Sequence, residues 1–191
     1  MKKSIGKKTI LYPHPLFIVG SYDTKGNPNI MAVSWGGICC SEPPSVAISV
    51  RKSRYSYDGI VLNKAFTINI PSTKYVNDAD YAGKYSGRHV NKFEELNLTP
   101  VKSELINAPY IKEFPMAMIC RVSKSLILGS HTQFIGEILD VLVDEEMLGS
   151  NGIPTVERVN PVIYDSGNHL YYAFGKKIFE SGQGRSRKQD Y

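Results

Sequence analysis

The chain has few cysteines and no long apolar run. Its 191 residues include three cysteines, Cys39, Cys40 and Cys120, and no CxxC pair. This spacing indicates neither a disulfide framework nor a cysteine metal site, and it favours a reducing, cytoplasmic compartment. No segment reaches the length of a membrane-spanning helix, and the charged N-terminus lacks the apolar run of a signal peptide. We therefore expect no membrane association.

Metal chemistry has little support in the sequence. His14, His89 and His169 have no partners at the spacing of metal ligands, so we expect no metal site. Cys39 and Cys40 are neighbours, and a disulfide between neighbours is geometrically strained. The pair is therefore predicted to consist of small buried residues and not of a redox couple.

The excess of positive charge is modest. The net charge is +5 and the isoelectric point is near 9.0. Part of the excess falls on Arg185, Arg187 and Lys188, which predict a solvated basic tail from about residue 180. This distribution does not indicate nucleic-acid binding. The length and the 42% hydrophobic content are typical of a single globular domain over residues 1–191.

Short alternating segments dominate the pattern. We count roughly seven to nine candidate strands against two or three short helices, the helices near residues 55–64 and 75–84. Residues 16–22 and 29–35 flank turn-forming residues and predict a hairpin, whereas residues 94–113 are predicted to be irregular. Strands and helices do not alternate regularly, which argues against a doubly wound sheet. The fold class is predicted to be mainly β, an antiparallel barrel with a few short helices.

The stretch over residues 28–56 carries the most chemical information. Val46, Ile48 and Val50 alternate with more polar residues, so a strand there would bury one face. After it come two guanidinium groups and three hydroxyls, on Arg51, Ser53, Arg54, Tyr55 and Ser56. Forked donors at the start of a helix suit a phosphate group. The alternative is an ordinary helix cap beside solvated arginines.

Several short motifs occur together in an order that resembles a known family. They are Asn29-Ile30-Met31-Ala32-Val33-Ser34-Trp35, Pro43-Pro44, Ile48-Ser49-Val50-Arg51, Ser53-Arg54-Tyr55-Ser56, Asn69-Ile70-Pro71, Ser86-Gly87-Arg88, Lys92-Phe93, His131-Thr132 and Gly136-Glu137. Over roughly residues 12–175 the chain resembles the flavin reductase-like FMN-binding split barrels, and within them most of all the flavoredoxin-type proteins.

The resemblance implies a homodimer of split barrels, each holding FMN non-covalently near the subunit interface. It implies that one group of residues borders the flavin ring, namely Asn29, Ile30, Met31, Ala32 and Trp35. A second group would surround the phosphate and the ring edge, namely Arg51, Ser53, Arg54, Tyr55 and Ser56. Position 56 is often threonine in such proteins, and serine keeps the hydroxyl.

The resemblance also implies that Lys92 lies near the flavin N5 and O4 atoms and that His131 and Tyr164 complete the wall. Lys92 and His131 are then the candidate catalytic residues, because a cation or donor near N5 can tune the redox potential. The residues alone leave other roles open. Lys92 could be a solvated loop lysine, His131 a turn histidine, and Trp35 a plug in the core or at a dimer interface.

Three functions follow as hypotheses. The first is an oxidoreductase whose FMN takes a hydride from NADH or NADPH and passes electrons to free flavin, a metal complex or another acceptor. The second is an FMN-containing electron carrier that is reduced by a protein partner without direct use of a nicotinamide. The third is a binding or structural barrel with no flavin.

Overall fold

The computed structural model describes residues 1–182, so the predicted basic residues Arg185, Arg187 and Lys188 lie outside the described part. The β-strands are β1 (His14–Pro15), β2 (Phe17–Tyr22), β3 (Pro28–Val33), β4 (Gly36–Ser41), β5 (Pro44–Val50), β6 (Ala65–Ile70), β7 (Pro100–Lys102), β8 (Pro109–Ile111), β9 (Met116–Leu128), β10 (His131–Val143), β11 (Val162–Asp165) and β12 (Leu170–Ala173). The α-helices are α1 (Ser56–Asn63), α2 (Val76–Lys84), α3 (Lys92–Glu95) and α4 (Val156–Val159). Short 3₁₀ turns cover Thr73–Tyr75 and Glu145–Met147.

Seven strands form one antiparallel sheet in the order β3-β2-β6-β9-β10-β5-β4. Its two edge strands, β3 and β4, are consecutive in the chain and are separated only by Ser34 and Trp35. At this bend the Ser49 amide on β5 donates to the Trp35 carbonyl at 2.8 Å. The sheet therefore curls round and closes on itself, which confirms the predicted antiparallel barrel with short helices.

The barrel interior is filled by the alternating residues of its strands. Val46, Ile48 and Val50 are buried, as the alternation predicted, and they pack in one cluster with Phe66 and Phe134. Burying each such side chain contributes roughly 1.5–3 kcal/mol. The cluster fixes the direction of β5, and with it the point at which the loop after Val50 leaves the barrel.

A second apolar cluster attaches helices to the outside of the barrel. Ile18 and Ile30 of the β2–β3 hairpin pack against Ala79 and Ala82 of α2 and against Phe93 of α3. The small alanines let α2 approach β3 closely. Consequently α2 and the loop that follows it lie beside the bend between β3 and β4.

The prediction that residues 94–113 are irregular was partly wrong, because β7 and β8 form a small hairpin there. Its position depends on a contact distant in sequence: the Ile111 amide donates to the Asn69 side-chain oxygen at 2.9 Å. The hydrophobic pattern of residues 94–113 does not reveal a hydrogen bond to a residue so distant in sequence. The predicted hairpin at residues 16–35 and the helices near 55–64 and 75–84 are confirmed.

The prediction that Cys39 and Cys40 are buried was wrong. Both are exposed, and Cys120 alone is buried. The reason is topological, because β4 is an edge strand whose last four residues are all exposed. Within residues 1–182, no group of histidine, cysteine or acidic side chains could hold a metal ion, and no helix is long and apolar enough to cross a membrane.

Candidate functional site

Two adjoining cavities lie at the bend between β3 and β4. The first, called the broad cavity, has a volume of about 630 Å³. It is lined by Leu16, Met31, Ala32, Val33, Ser34, Trp35, Ser49, Val50, Arg51, Ser53, Arg54, Asp80, Gly83, Lys84, His131, Tyr164 and Tyr171. The second, called the narrow cavity, has a volume of about 160 Å³. It is lined by Asn29, Met31, Ala32, Ser53, Arg54, Tyr55, Ser56, Ala82, Gly83, Lys84, Tyr85, Ser86, Gly87, Arg88 and Lys92. Six residues line both, so one ligand can extend from one cavity into the other.

Aromatic side chains line part of the broad cavity. The rings of Tyr164 and Tyr171 lie 5.1 Å apart, because the two residues face each other across the β11–β12 pair. The Trp35 ring stacks on His14 at 5.5 Å, and 39% of Trp35 remains exposed. Together with the side chain of Met31, these rings can accept a flat apolar group.

The charge around both cavities is strongly positive. Arg51, Arg54 and Lys84 line the broad cavity beside one carboxylate, that of Asp80. That carboxylate already accepts a hydrogen bond from the Tyr171 hydroxyl at 2.8 Å. The narrow cavity has four cationic residues in its lining and no carboxylate. An anionic ligand would therefore offset repulsion between the cations themselves.

The positive charge around the cavities also affects the pKa of His131. It is the first residue of β10, at the turn of the long β9–β10 hairpin, and it lines the broad cavity. Burial lowers the pKa of its imidazole, and the neighbouring Arg51 and Arg54 lower it further. The imidazole is therefore held towards its neutral form, which can donate or accept a hydrogen bond at a ligand.

Lys92 is the most deeply buried cation at the site. It begins α3, is 4% exposed, and donates from Nζ to the carbonyls of Ile30 and Ala82, both at 2.7 Å. Burial, and then the charge of Arg54, lower its pKa to about 8. An ammonium has three N–H groups, so one remains for a ligand in the narrow cavity. The alternative of a solvated loop lysine is wrong.

The start of α1 lies against the narrow cavity. No side chain caps this helix, so the ordinary cap of the alternative is absent, although Arg51 and Arg54 are exposed as that alternative expected. Ser56, its first residue, is buried and accepts from the Asn29 side-chain amide at 2.7 Å. Because free amides and the helix dipole both attract negative charge, an uncapped helix start is a favourable place for a phosphate.

The predicted site residues divide between the cavities. Those in the broad cavity are Met31, Ala32, Trp35, Arg51, Ser53, Arg54, His131 and Tyr164. Those in the narrow cavity are Asn29, Met31, Ala32, Ser53, Arg54, Tyr55, Ser56 and Lys92. Ile30 lines neither: its side chain is fully buried in the outer apolar cluster, and only its carbonyl takes part, through Lys92.

Several lining residues were missed by the reasoning from sequence. Asp80 and Lys84 are four residues apart on α2, and the helical period could have put them on one face. Tyr171 could have been found as the partner of Tyr164 once the β11–β12 hairpin was recognised. Arg88 belongs to one of the quoted motifs but received no role.

Comparison with known proteins identifies the class to which this barrel belongs. The family model described as a flavin reductase-like domain matches residues 9–175, so the chain belongs to the flavin reductase-like family. Its structure is similar to flavoredoxin of Desulfovibrio vulgaris (Miyazaki F), with a TM-score of 0.91, 51% identity, and coverage of 96% of this chain and 98% of that chain. The flavoredoxin of Methanosarcina acetivorans gives a TM-score of 0.89 at 30% identity, covering 96% of each chain.

A more distant relative carries an enzyme name. The chain is 25% identical over 111 residues to a ferric-chelate reductase (NAD(P)H) of Archaeoglobus fulgidus, which covers 56% of this chain and 64% of that protein. The predicted family and its split-barrel fold are thus confirmed.

Proposed function

We propose that this chain binds FMN non-covalently across the two cavities and works as an oxidoreductase that takes electrons from NADH or NADPH. The observation that carries the proposal is the continuity of an aromatic-lined cavity with a cation-lined one at an uncapped helix start. FMN has the same division, a flat apolar ring system at one end and a dianionic phosphate at the other.

The narrow cavity fits the phosphate. Ser53 and Ser56 offer hydroxyl donors, and Arg54, Arg88 and Lys92 offer positive charge. With no carboxylate in this lining, nothing opposes an anion there. Lys92 in this cavity favours a role at the phosphate end, whereas the resemblance predicted the N5 and O4 edge of the ring.

The broad cavity fits the ring. Trp35, Tyr164 and Met31 supply apolar surface, and Arg51 and His131 supply donors at its edge. When bound, FMN would supply hydride acceptance from a nicotinamide and electron donation to free flavin, a metal complex or another acceptor. A cation such as Arg51 at the ring edge favours negative charge there and so favours electron uptake.

A second candidate function is an electron carrier whose FMN is reduced by a protein partner. The name flavoredoxin of the 51% identical structure favours this alternative. The name of the ferric-chelate reductase (NAD(P)H) favours the enzyme.

The visible absorption spectrum tests flavin binding first. The purified protein, incubated with FMN and freed of excess by gel filtration, is expected to retain a flavin spectrum. A colourless protein after this treatment would remove both flavin functions and leave the barrel as a binding or structural module.

Anaerobic stopped-flow then separates enzyme from carrier. FMN-loaded protein is mixed with NADH or with NADPH, and the visible flavin band is followed, with an equal concentration of free FMN as the control. Bleaching faster than in free FMN supports direct use of a nicotinamide. If neither nucleotide bleaches the bound flavin, direct use of a nicotinamide is ruled out and the carrier function is favoured.

The predicted homodimer, the cytoplasmic location and the single domain over residues 1–191 belong to the same proposal. The exposed apolar residues at the β9–β10 turn, Leu126, Ile127 and Leu128, support a surface that a second copy covers. Light scattering after size-exclusion chromatography measures the mass, and a monomer would contradict the predicted dimer.

A further inference from the structure

Arg88 joins the two sides of the narrow cavity. One side is the segment before α1, and the other is the loop that follows α2. The Arg88 guanidinium donates from Nη1 to the carbonyl of Ser53 at 3.0 Å and lies 5.9 Å from the centre of the Tyr55 ring. We call this pair of contacts the Arg88 bridge.

The bridge rests on a fixed support. The Tyr55 hydroxyl donates to Asp23 Oδ2 at 2.7 Å, and the same carboxylate accepts from the backbone amides of Lys25 and Asn27, both at 2.8 Å. The Tyr55 side chain therefore cannot swing away from Asp23 without breaking a charge-assisted hydrogen bond. Arg88 packs on a surface that the β2–β3 turn holds in place.

Gly87 brings the loop close to that support. A side chain at this position would overlap the Asn29 oxygen and would approach Cδ1 of Tyr55 to 2.5 Å. Neither neighbour is free to move, since Asn29 is bonded to Ser56 and Tyr55 to Asp23. The missing Cβ is thus what lets the loop lie against the cavity and lets Arg88 reach Ser53.

We infer that the Arg88 bridge closes the phosphate end of the site and makes it selective for a flavin mononucleotide over a flavin dinucleotide. This inference rests on the proposed function. The narrow cavity, which Arg88 and Ser53 help to line, has a volume of about 160 Å³, room for a phosphate group but not for an added adenosine. On this inference the adenosine of a dinucleotide extends between Arg88 and Ser53, whose hydrogen bond lies at the exposed side of the cavity, so dinucleotide binding breaks the bridge, whereas a mononucleotide leaves it intact.

Dissociation constants for FMN and FAD, measured by quenching of flavin fluorescence, test the inference. We expect the wild-type protein to bind FMN at least about tenfold more tightly than FAD, since one charge-assisted hydrogen bond is broken by the larger ligand. In Arg88→Met this preference should shrink by about the same factor. The ratio of the two constants is the readout, because loss of positive charge weakens both anions.

Gly87→Ala provides a variant that keeps every charge. It should force the loop away from Tyr55 and relax the preference for FMN as Arg88→Met does. Lys102→Met, which removes an exposed lysine of β7, is the charge-matched control and should keep the wild-type ratio. Circular dichroism checks that each variant is folded. If Gly87→Ala does not fold, the FMN-to-FAD ratio of Arg88→Met alone tests the inference.

The outcomes separate the inference from the function on which it rests. If wild-type protein binds neither flavin, the proposed function fails. If it binds FMN and FAD equally, or if Arg88→Met weakens both by the same factor, flavin binding stands and the role of the bridge is overturned. Arg88 would then be only one more cation near the phosphate.

Discussion

The ammonium of Lys92 donates to the carbonyl oxygen of Ile30 at 2.7 Å, which joins the first residue of α3 to the middle of β3. A buried lysine normally costs free energy because its charge is removed from water. Here two carbonyls compensate in part, and the pKa still falls to about 8. The site thus holds a lysine that loses its proton near pH 8, well below the range of an ordinary lysine.

The pH dependence of FMN binding should therefore report on Lys92. Below pH 8 the ammonium is charged and attracts the phosphate, and above it the amine becomes neutral, so affinity should fall as pH rises from about 8 to 10. Fluorescence titrations across that range measure the change. Lys92→Met should bind FMN more weakly than the wild type at pH 7, by about 1–3 kcal/mol. Its affinity for FMN should not fall as the pH rises from about 8 to 10. A decline that persists in the variant would assign it to another group.

The flavin-free protein should show the opposite trend in stability. The pKa of Lys92 is about 8 in the folded protein against 10.5 for an ordinary lysine, so the unfolded chain binds more protons between these values. The contribution of Lys92 to the free energy of unfolding should therefore rise with pH across this window. Urea unfolding at pH 8 and pH 10 measures the free energy of unfolding, and the difference from Lys92→Met gives the contribution of Lys92.

The two arginines of the segment after β5 should differ in what they recognise. Arg54 lines both cavities and Arg51 only the broad one. Arg54→Ala should weaken the binding of FMN by about 1–3 kcal/mol. It should weaken the binding of riboflavin, which lacks the phosphate, much less. Arg51→Ala should weaken the binding of both flavins alike, since Arg51 lines only the broad cavity, in which we place the ring. Isothermal titration of both variants with both flavins measures this, and equal losses in Arg54→Ala would move the phosphate out of the narrow cavity.

The part of the site that the sequence revealed lies on continuous strands and loops. Alternation at Val46, Ile48 and Val50 predicted which face of β5 is buried, and the polar cluster after it indicated an anion. The burial of Lys92 could not be predicted in this way. Its partners, Ile30 and Ala82, lie 62 and 10 residues away in sequence, and only the packing of α2 on β3 brings them together.

The exposure of Cys39 and Cys40 shows a related limit. Residue type predicts burial only when the position of a strand in the sheet is known, and β4 is an edge strand because the chain bends at Ser34 and Trp35. No local pattern marks that bend as the place where the barrel closes. The same bend forms the broad cavity, so its lining could be named only in part.

The hydrogen bond from Tyr55 to Asp23, which supports the Arg88 bridge, should make the stability of the protein depend on pH in acid. Burial raises the pKa of Asp23, but hydrogen bonds from Tyr55, Asn27 and Lys25 outweigh it, and the net pKa is about 2. Because this value is below the ordinary 3.8, Asp23 contributes stability above pH 4 that is lost as pH falls towards 2. Tyr55→Phe should destabilise the protein at pH 7 by about 1 kcal/mol and by less near pH 3.

A matched control exists for the Tyr55 experiment. The Tyr57 hydroxyl bonds to the Thr132 hydroxyl at 3.0 Å, a pair without a carboxylate. Tyr57→Phe should cost a similar amount at both pH values, because the hydrogen bond that it removes joins two hydroxyl groups and no carboxylate. If Tyr55→Phe showed the same flat profile, its hydrogen bond to Asp23 would not be the source of the lowered pKa. Chemical unfolding followed by circular dichroism suits both variants.

Trp35 offers a direct optical test because it is the only tryptophan in the sequence. It lines the broad cavity, 39% of the residue is exposed, and its ring stacks on His14. A flavin ring in that cavity should quench most of the tryptophan emission, and the quenching should saturate at one FMN per chain. Trp35→Phe should weaken FMN by about 0.5–1.5 kcal/mol through loss of aromatic contact. If Trp35 does not contact the flavin, its emission should stay constant on addition of FMN. A change in emission on dilution of the protein would show that Trp35 also lies at a subunit interface, so the FMN titration tests the ligand wall and the dilution tests the interface.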